Sequence, residues 1–143
     1  MNESVIQLIA ALFGGLGFGL LFGMPTRHLL PSALGGVMAW AIYLGMVKLT
    51  GIEFLACLVA AAAAVVYAEA LARLRKTPAT QFIMGGIVPL VPGSSLYNTM
   101  SCAVRGEMEA ARQYGSATLV YALAIAAGIS LVMALRQLQT KKK

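Results

Sequence analysis

The chain has 143 residues, of which 59% are apolar and 11% charged, with a formal net charge of +6 and a mean hydropathy of +0.81. Soluble domains carry roughly 25% charged residues, so this composition excludes an ordinary soluble domain and points to an integral membrane protein. There is no Asp, one His, and two distant cysteines at Cys57 and Cys102, which excludes a metal cluster or a CxxC redox pair assembled within the chain.

A membrane-spanning helix needs about 20 mostly apolar residues. The first such stretch is Val5 to Gly23. Its only preceding charge is Glu3, whereas a cleaved secretory signal has a positive leader, so this helix is expected to be retained. Gly15, Gly19 and Gly23 form a stripe along it at a spacing of four. Arg27 and His28 follow, at a predicted helix end, where an imidazole titrates near neutral pH and can sense or relay protons, or simply line the interface. The second stretch, Ser32 to Leu49, is short and carries Gly35 and Gly36, which leaves open a four-helix count with a re-entrant element.

The third stretch, Ile52 to Leu71, carries a second stripe of small residues: Ala56, Ala60, Ala64 and Ala68. Near its end, Glu69 and Arg73 stand four apart in the favourable order and are expected to pair. The fourth stretch is Ala79 to Ala103, and the fifth, Tyr114 to Leu135, bears Ala122, Ala126, Ser130 and Ala134 at the same spacing. Such stripes let helices approach closely in lipid, either within one chain or against a partner chain. Trp40 and Tyr43 read as belt or lipid-facing aromatics.

The expected fold is therefore all-α: a polytopic membrane helix bundle of about five transmembrane helices with a broken fourth helix, forming a single integral membrane domain over residues 1–143. Basic residues favour the cytoplasmic side. With five spans, Arg27, Arg73, Arg75, Lys76, Arg136 and Lys141 to Lys143 share one side, against Lys48, Arg105 and Arg112 on the other. This predicts an N-terminus outside and a cytoplasmic C-terminus. The same distribution accounts for the net charge as topology signals and contacts with anionic lipid, with no nucleic-acid partner implied.

The break in the fourth stretch lies in "GGIVPLVPGSSLYNTM", residues 85 to 100. Pro89 and Pro92 lack amide hydrogens, and Gly93 adopts conformations other residues resist. The helix is expected to stop near Val88 and to restart at Ser94 as N-cap. Each ten-residue half spans about 15 Å at 1.5 Å per residue, about half the hydrocarbon core, which places the break near the midplane. Non-helical backbone at that depth is tolerated only when buried in protein or lining a wet cavity. The restarting half-helix aims its positive end at the midplane, a site suited to a carboxylate and recurrent in secondary transporters. Ser94, Ser95, Tyr97 and Asn98 are the candidate substrate-binding residues, with Pro89, Pro92 and Gly93 shaping the break. A plain proline kink, or a loop outside the membrane, is the alternative. Arg27, His28, Glu69 and Arg73 are the candidate coupling residues.

No HExxH, GxSxG, P-loop or intramembrane carboxylate pair is present, so the reading is not an enzyme, and no cofactor or catalytic residue is assigned.

"LFGMPTRHLLPSALGGVMAW", "AEALARLRKTPATQF", "GGIVPLVPGSSLYNTM" and "TLVYALAIAAGI" together resemble the smaller half of the threonine/serine exporter family, the half that also serves as the small subunit of the bacterial succinate exporter. The likeness runs in the same order over nearly the whole chain. The Pro-Leu-Val-Pro-Gly stretch with Tyr97 is its most specific part, supported by Gly23, Pro25, Arg27, His28, Glu69, Arg73, Lys76 and Pro78. The resemblance implies a multi-pass protein of the bacterial inner membrane. It would act as a proton- or gradient-driven secondary transporter of threonine, serine or a dicarboxylate such as succinate, together with a larger membrane subunit of the same family. Two other classes stay open on the residues alone: a non-transporting assembly or scaffold subunit, and a homo-oligomeric channel.

Overall fold

The computed structural model describes residues 2–140, and all regular structure among them is helical. In chain order the elements are α1 (Asn2–Leu21), α2 (Thr26–Thr50), α3 (Glu53–Arg75), α4 (Ala79–Ile87), a 3-10 turn (Val88–Leu90), α5 (Gly93–Val104) and α6 (Met108–Thr140). Four helices, α1, α2, α3 and α6, are long and apolar enough to cross a membrane, whereas α4 and α5 are each too short to do so alone. The protein is an all-α, multi-pass membrane helix bundle.

The second stretch is not a short or re-entrant element, since α2 runs unbroken for 25 residues from Thr26. Pro31 inside it supplies no amide hydrogen to the Arg27 carbonyl four residues back. Instead the Arg75 guanidinium donates to that carbonyl at 3.3 Å, and the Tyr67 hydroxyl donates to the Pro31 carbonyl at 2.9 Å. The proline is thus accommodated because α3 satisfies the backbone group it leaves exposed.

Packing follows the small residues, with one correction. Gly15 meets Ala33 and Gly19 meets Leu29, so the first stripe does join α1 to α2. Gly23 is no part of it: α1 ends at Leu21, and Gly23 makes the turn with φ +67°, a left-handed conformation that glycine adopts without strain. The alanine stripe of α3 is fully buried at Ala56, Ala60, Ala64 and Ala68, and α3 lies at the centre against α2, α4 and α6. The stripe expected on the last helix faces outward, with Ala122, Ala126, Ser130 and Ala134 all exposed. α6 meets α3 through Ala124, Ile125 and Gly128 instead, the last so close that a Cβ would stand 2.6 Å from the Leu58 carbonyl oxygen.

Pairing along the interfaces gives the directions. Ser32 lies beside Gly85 and Gly36 beside Pro89, so α2 and α4 run parallel. Cys57 contacts Tyr121 and Glu69 contacts Arg136, so α3 and α6 are parallel too. At 33 residues, α6 is about 50 Å long, well beyond the roughly 30 Å hydrocarbon core. Its first turns carry α5, which packs on α6 and buries no residue completely.

Candidate functional site

The interruption between α4 and α5 is where the chain departs most from a plain bundle. The last residues of α4 tighten into the 3-10 turn, Val91 is extended (φ −63°, ψ 127°) and Pro92 follows at φ −77°, ψ 60°. α5 begins at Gly93, so Pro92 occupies the cap position and no side chain caps the helix. Ser94 is therefore not the N-cap that its residue type suggests. The physical reason is that the proline already fixes the entry backbone, which moves the helix start one residue earlier. The first full-turn bond runs from the Leu96 amide to the Pro92 carbonyl at 3.0 Å. The amides of Ser94 and Ser95 precede that bond and lie outside the helical ladder, leaving them available to another acceptor.

Depth follows from the neighbours. Leu90, within the break, is buried in a cluster with Ala39, Cys57, Ala60, Ala61, Ala64, Ala124 and Ile125. Ala39 and Ala64 lie near the middle of α2 and α3, so the break sits at mid-bundle.

A cavity of about 140 Å³ opens beside it, lined by Trp40, Tyr43, Cys57, Tyr121, the segment from Pro89 to Pro92, Ser94 and Ser95. Trp40 and Tyr43 are stacked, with ring centroids 5.0 Å apart, and the Tyr121 hydroxyl donates to a carboxylate oxygen of Glu53 at the start of α3. Across Trp40 and Pro89 lies a second cavity of about 310 Å³, lined also by Gln7, Ala10, Ala11, Gly14 and Val88. The Trp40 indole donates to Gln7 Oε1 at 3.3 Å, which ties this shared wall to α1. The site thus offers hydroxyls that both donate and accept, and two amides ahead of a helix. Among the described residues no basic side chain lines it, and the carboxylate reaching it does so through Tyr121.

The residues singled out in the sequence are divided by the fold. Pro89, Pro92, Ser94 and Ser95 share the first cavity. Tyr97 and Asn98 do not line it: Tyr97 is 71% exposed and Asn98 half-buried on α5. Gly93 starts α5 with open space around its Cα. Tyr43, Tyr121, Trp40 and Glu53 were not legible as a group, since they come from three helices far apart in sequence. Their one signal is a polar tip on an aromatic ring within an apolar run, which needs a partner when buried.

The four candidate coupling residues fall into two separate clusters. Arg27 Nε donates to His28 Nε2 at 3.0 Å, and His28 is only 2% exposed, so it is a buried histidine rather than an interfacial one. Its ring meets Phe82 edge-on, with centroids 5.5 Å apart. Glu69 does not pair with Arg73: its carboxylate lies 2.6 Å from the Arg136 guanidinium on α6, because it faces that helix while Arg73 is exposed. No group of three or more potential metal ligands occurs among the described residues.

A family model described as Threonine/Serine exporter, ThrE, matches residues 7–135. Comparison with curated proteins and with solved structures gives no match.

Proposed function

The chain belongs to the threonine/serine exporter family, and on that premise we propose that it is one subunit of a secondary transporter that exports small hydroxyl amino acids. The broken helix carries the proposal. It brings two amides outside any helical ladder, two serine hydroxyls and two tyrosines to one cavity at mid-bundle. A substrate carboxylate is stabilised at the start of α5, where the helix dipole and the Ser94 and Ser95 amides favour negative charge. The substrate ammonium is served from the other side by Tyr121, whose hydroxyl is oriented by Glu53. A dicarboxylate such as succinate has no cation to meet its second charge among the residues lining this cavity, so the lining favours a zwitterion.

The larger subunit is part of the same proposal. The outer face of α5 exposes Leu96, Tyr97, Met100 and Val104, and α6 turns its small-residue stripe outward. Irregular backbone at this depth is tolerated when protein covers it, and a second membrane half provides that cover. The chain then forms one integral membrane domain of the bacterial inner membrane. The end of the bundle that carries the α1–α2 and α3–α4 turns, whose adjoining helix ends together with the C-terminus hold most of the basic residues, faces the cytoplasm.

The test is efflux of preloaded labelled threonine, serine and succinate from cells expressing this chain with and without the larger subunit. Threonine or serine efflux that needs both chains is the expected result. Absence of efflux in every condition, with both proteins present in the membrane, overturns the proposal, and preferential succinate efflux overturns its substrate assignment.

A further inference from the structure

Trp40 stands between two cavities. One is the volume of about 140 Å³ beside Ser94 and Ser95, the other the volume of about 310 Å³ against α1, and Trp40 and Pro89 border both. The contacts of the ring show how it spans them. It stacks on Tyr43, which lines only the first cavity, and its indole N–H donates to Oε1 of Gln7, which lines only the second. The indole is therefore a side-chain wall between the two, and Pro89 adds to it from the break.

A large aromatic with space on two sides is not there for packing alone. Interiors hold few voids larger than a water molecule, and a tryptophan that merely filled the core would be enclosed. Trp40 is held in place instead by specific contacts. The stack on Tyr43, with centroids 5.0 Å apart, and the bond to Gln7, at 3.3 Å, oppose a swing of the ring into either space.

The two volumes also differ in chemistry. The first has the hydroxyls of Tyr43, Tyr121, Ser94 and Ser95 on its walls. The second is more than twice as large and is made apolar by Ala10, Ala11, Gly14 and Val88, while the Oε1 of Gln7 is already engaged by the indole. A hydroxyl amino acid suits the first volume, and a longer apolar side chain suits the second.

We propose that Trp40 sets the upper size limit of the substrate, holding the site to amino acids as small as serine and threonine and shutting out larger apolar ones such as leucine. The proposal rests on the exporter reading. Leucine carries the same ammonium and carboxylate as threonine, so the polar groups of the first cavity do not tell the two apart. Its volume does: about 140 Å³ is well under the roughly 300–1,000 Å³ of pockets for drug-sized ligands. A longer side chain anchored at the same polar groups needs further space, and the space adjoining this cavity lies behind the indole.

The test is uptake of labelled threonine and leucine into proteoliposomes holding this chain with its larger subunit. The wild type is expected to carry threonine and little leucine. Trp40→Ala is expected to raise the leucine-to-threonine ratio by at least about tenfold, the low end of what a methylene decides in an apolar pocket. Trp40→Tyr, which keeps a ring to stack on Tyr43, leaves the ratio near wild type. Adding Gly14→Leu to Trp40→Ala brings the ratio back down, because Gly14 borders the second cavity with nothing within 4 Å of where its Cβ would stand. A general loosening of the fold does not produce that reversal.

Where Trp40→Ala fails to accumulate, a second measurement decides. Trp40 is the only tryptophan of the chain, so the ¹⁹F resonance of 5-fluorotryptophan at this position is assigned by its absence from Trp40→Tyr. Threonine is expected to shift that resonance, and leucine at the same concentration to leave it in place. An unchanged ratio in folded Trp40→Ala, or a resonance that threonine does not move, overturns the size limit, and wild-type threonine transport in the same preparation leaves the exporter reading standing. A wild type that carries neither amino acid overturns the exporter reading itself, and the size limit with it.

Discussion

Gly36 on α2 lies so close to Gly85 on α4 that a Cβ at Gly36 would stand 2.7 Å from the Gly85 carbonyl oxygen, and 3.0 Å from Pro89 Cγ. Gly36 therefore serves not to break the second helix or make it re-enter but to seat the short half-helix against it. Gly36→Ala forces α4 away and is expected to cost about 1–3 kcal/mol, the usual range for overpacking. Gly45→Ala, on the same helix with nothing within 4 Å, leaves stability unchanged or slightly raised. Thermal unfolding of the two variants in the same detergent measures the difference, and equal midpoints would contradict the close approach.

The break depends on Pro92 and Gly93. Replacing both by Ala restores an amide at 92 and raises helix propensity, which is expected to extend α5 backward and close the cavity beside Ser94 and Ser95. Efflux should fall below detection while membrane abundance is retained. Wild-type efflux at equal abundance removes the site from this segment.

The tyrosines separate the cavity from the outer face of α5. Tyr121→Phe deletes the hydroxyl that donates to Glu53 and is expected to lower efflux by about tenfold, corresponding to about 1.4 kcal/mol, near the value of one charge-assisted hydrogen bond. Tyr97→Phe, at a side chain outside the cavity, leaves transport kinetics near wild type. The reverse order in a side-by-side efflux assay would return the substrate to the α5 face.

Glu69 and Arg136 form a pair across α3 and α6, with Glu69 largely buried at 12% exposure. Glu69→Gln is expected to destabilise the bundle, and a double-mutant cycle with Arg136→Gln to yield a coupling of about 0.5–3 kcal/mol. Arg73→Gln, at an exposed side chain, is expected to change stability by less than about 0.5 kcal/mol. A cycle showing no coupling would return Glu69 to a surface role.

Bulky substitution separates packing from chemistry. Gly19→Leu clashes with Leu29 at the α1–α2 contact and is expected to reduce the amount of folded protein. Ser95→Leu, at a residue that lines the cavity, is expected to leave the amount unchanged and abolish efflux. Loss of abundance in both variants, with normal efflux per molecule, would favour a scaffold subunit.

The class of the protein was legible from composition alone, because in lipid the backbone must be satisfied within helices and the side chains facing the acyl chains must be apolar. Local chemistry also placed the interruption: Pro89 and Pro92 remove amide hydrogens wherever the segment sits, and the helix does stop at Ile87 and resume at Gly93. Partners across helices were another matter. A spacing of four put Arg73 beside Glu69, yet the carboxylate turned to Arg136, since a partly buried charge is satisfied by whichever cation shares its dry interface. The stripe on α6 had the same spacing as that on α3 but faces outward, because periodicity defines a face without saying what lies opposite it. Likewise His28 looked interfacial from its position in the chain, and only the parallel packing of α4 on α2 buried it against Phe82. Residue type and spacing determine what each helix is and where it breaks; the packing of α2, α3, α4 and α6 decides which polar tips meet, since those contacts join residues 30 to 70 positions apart that no local rule relates.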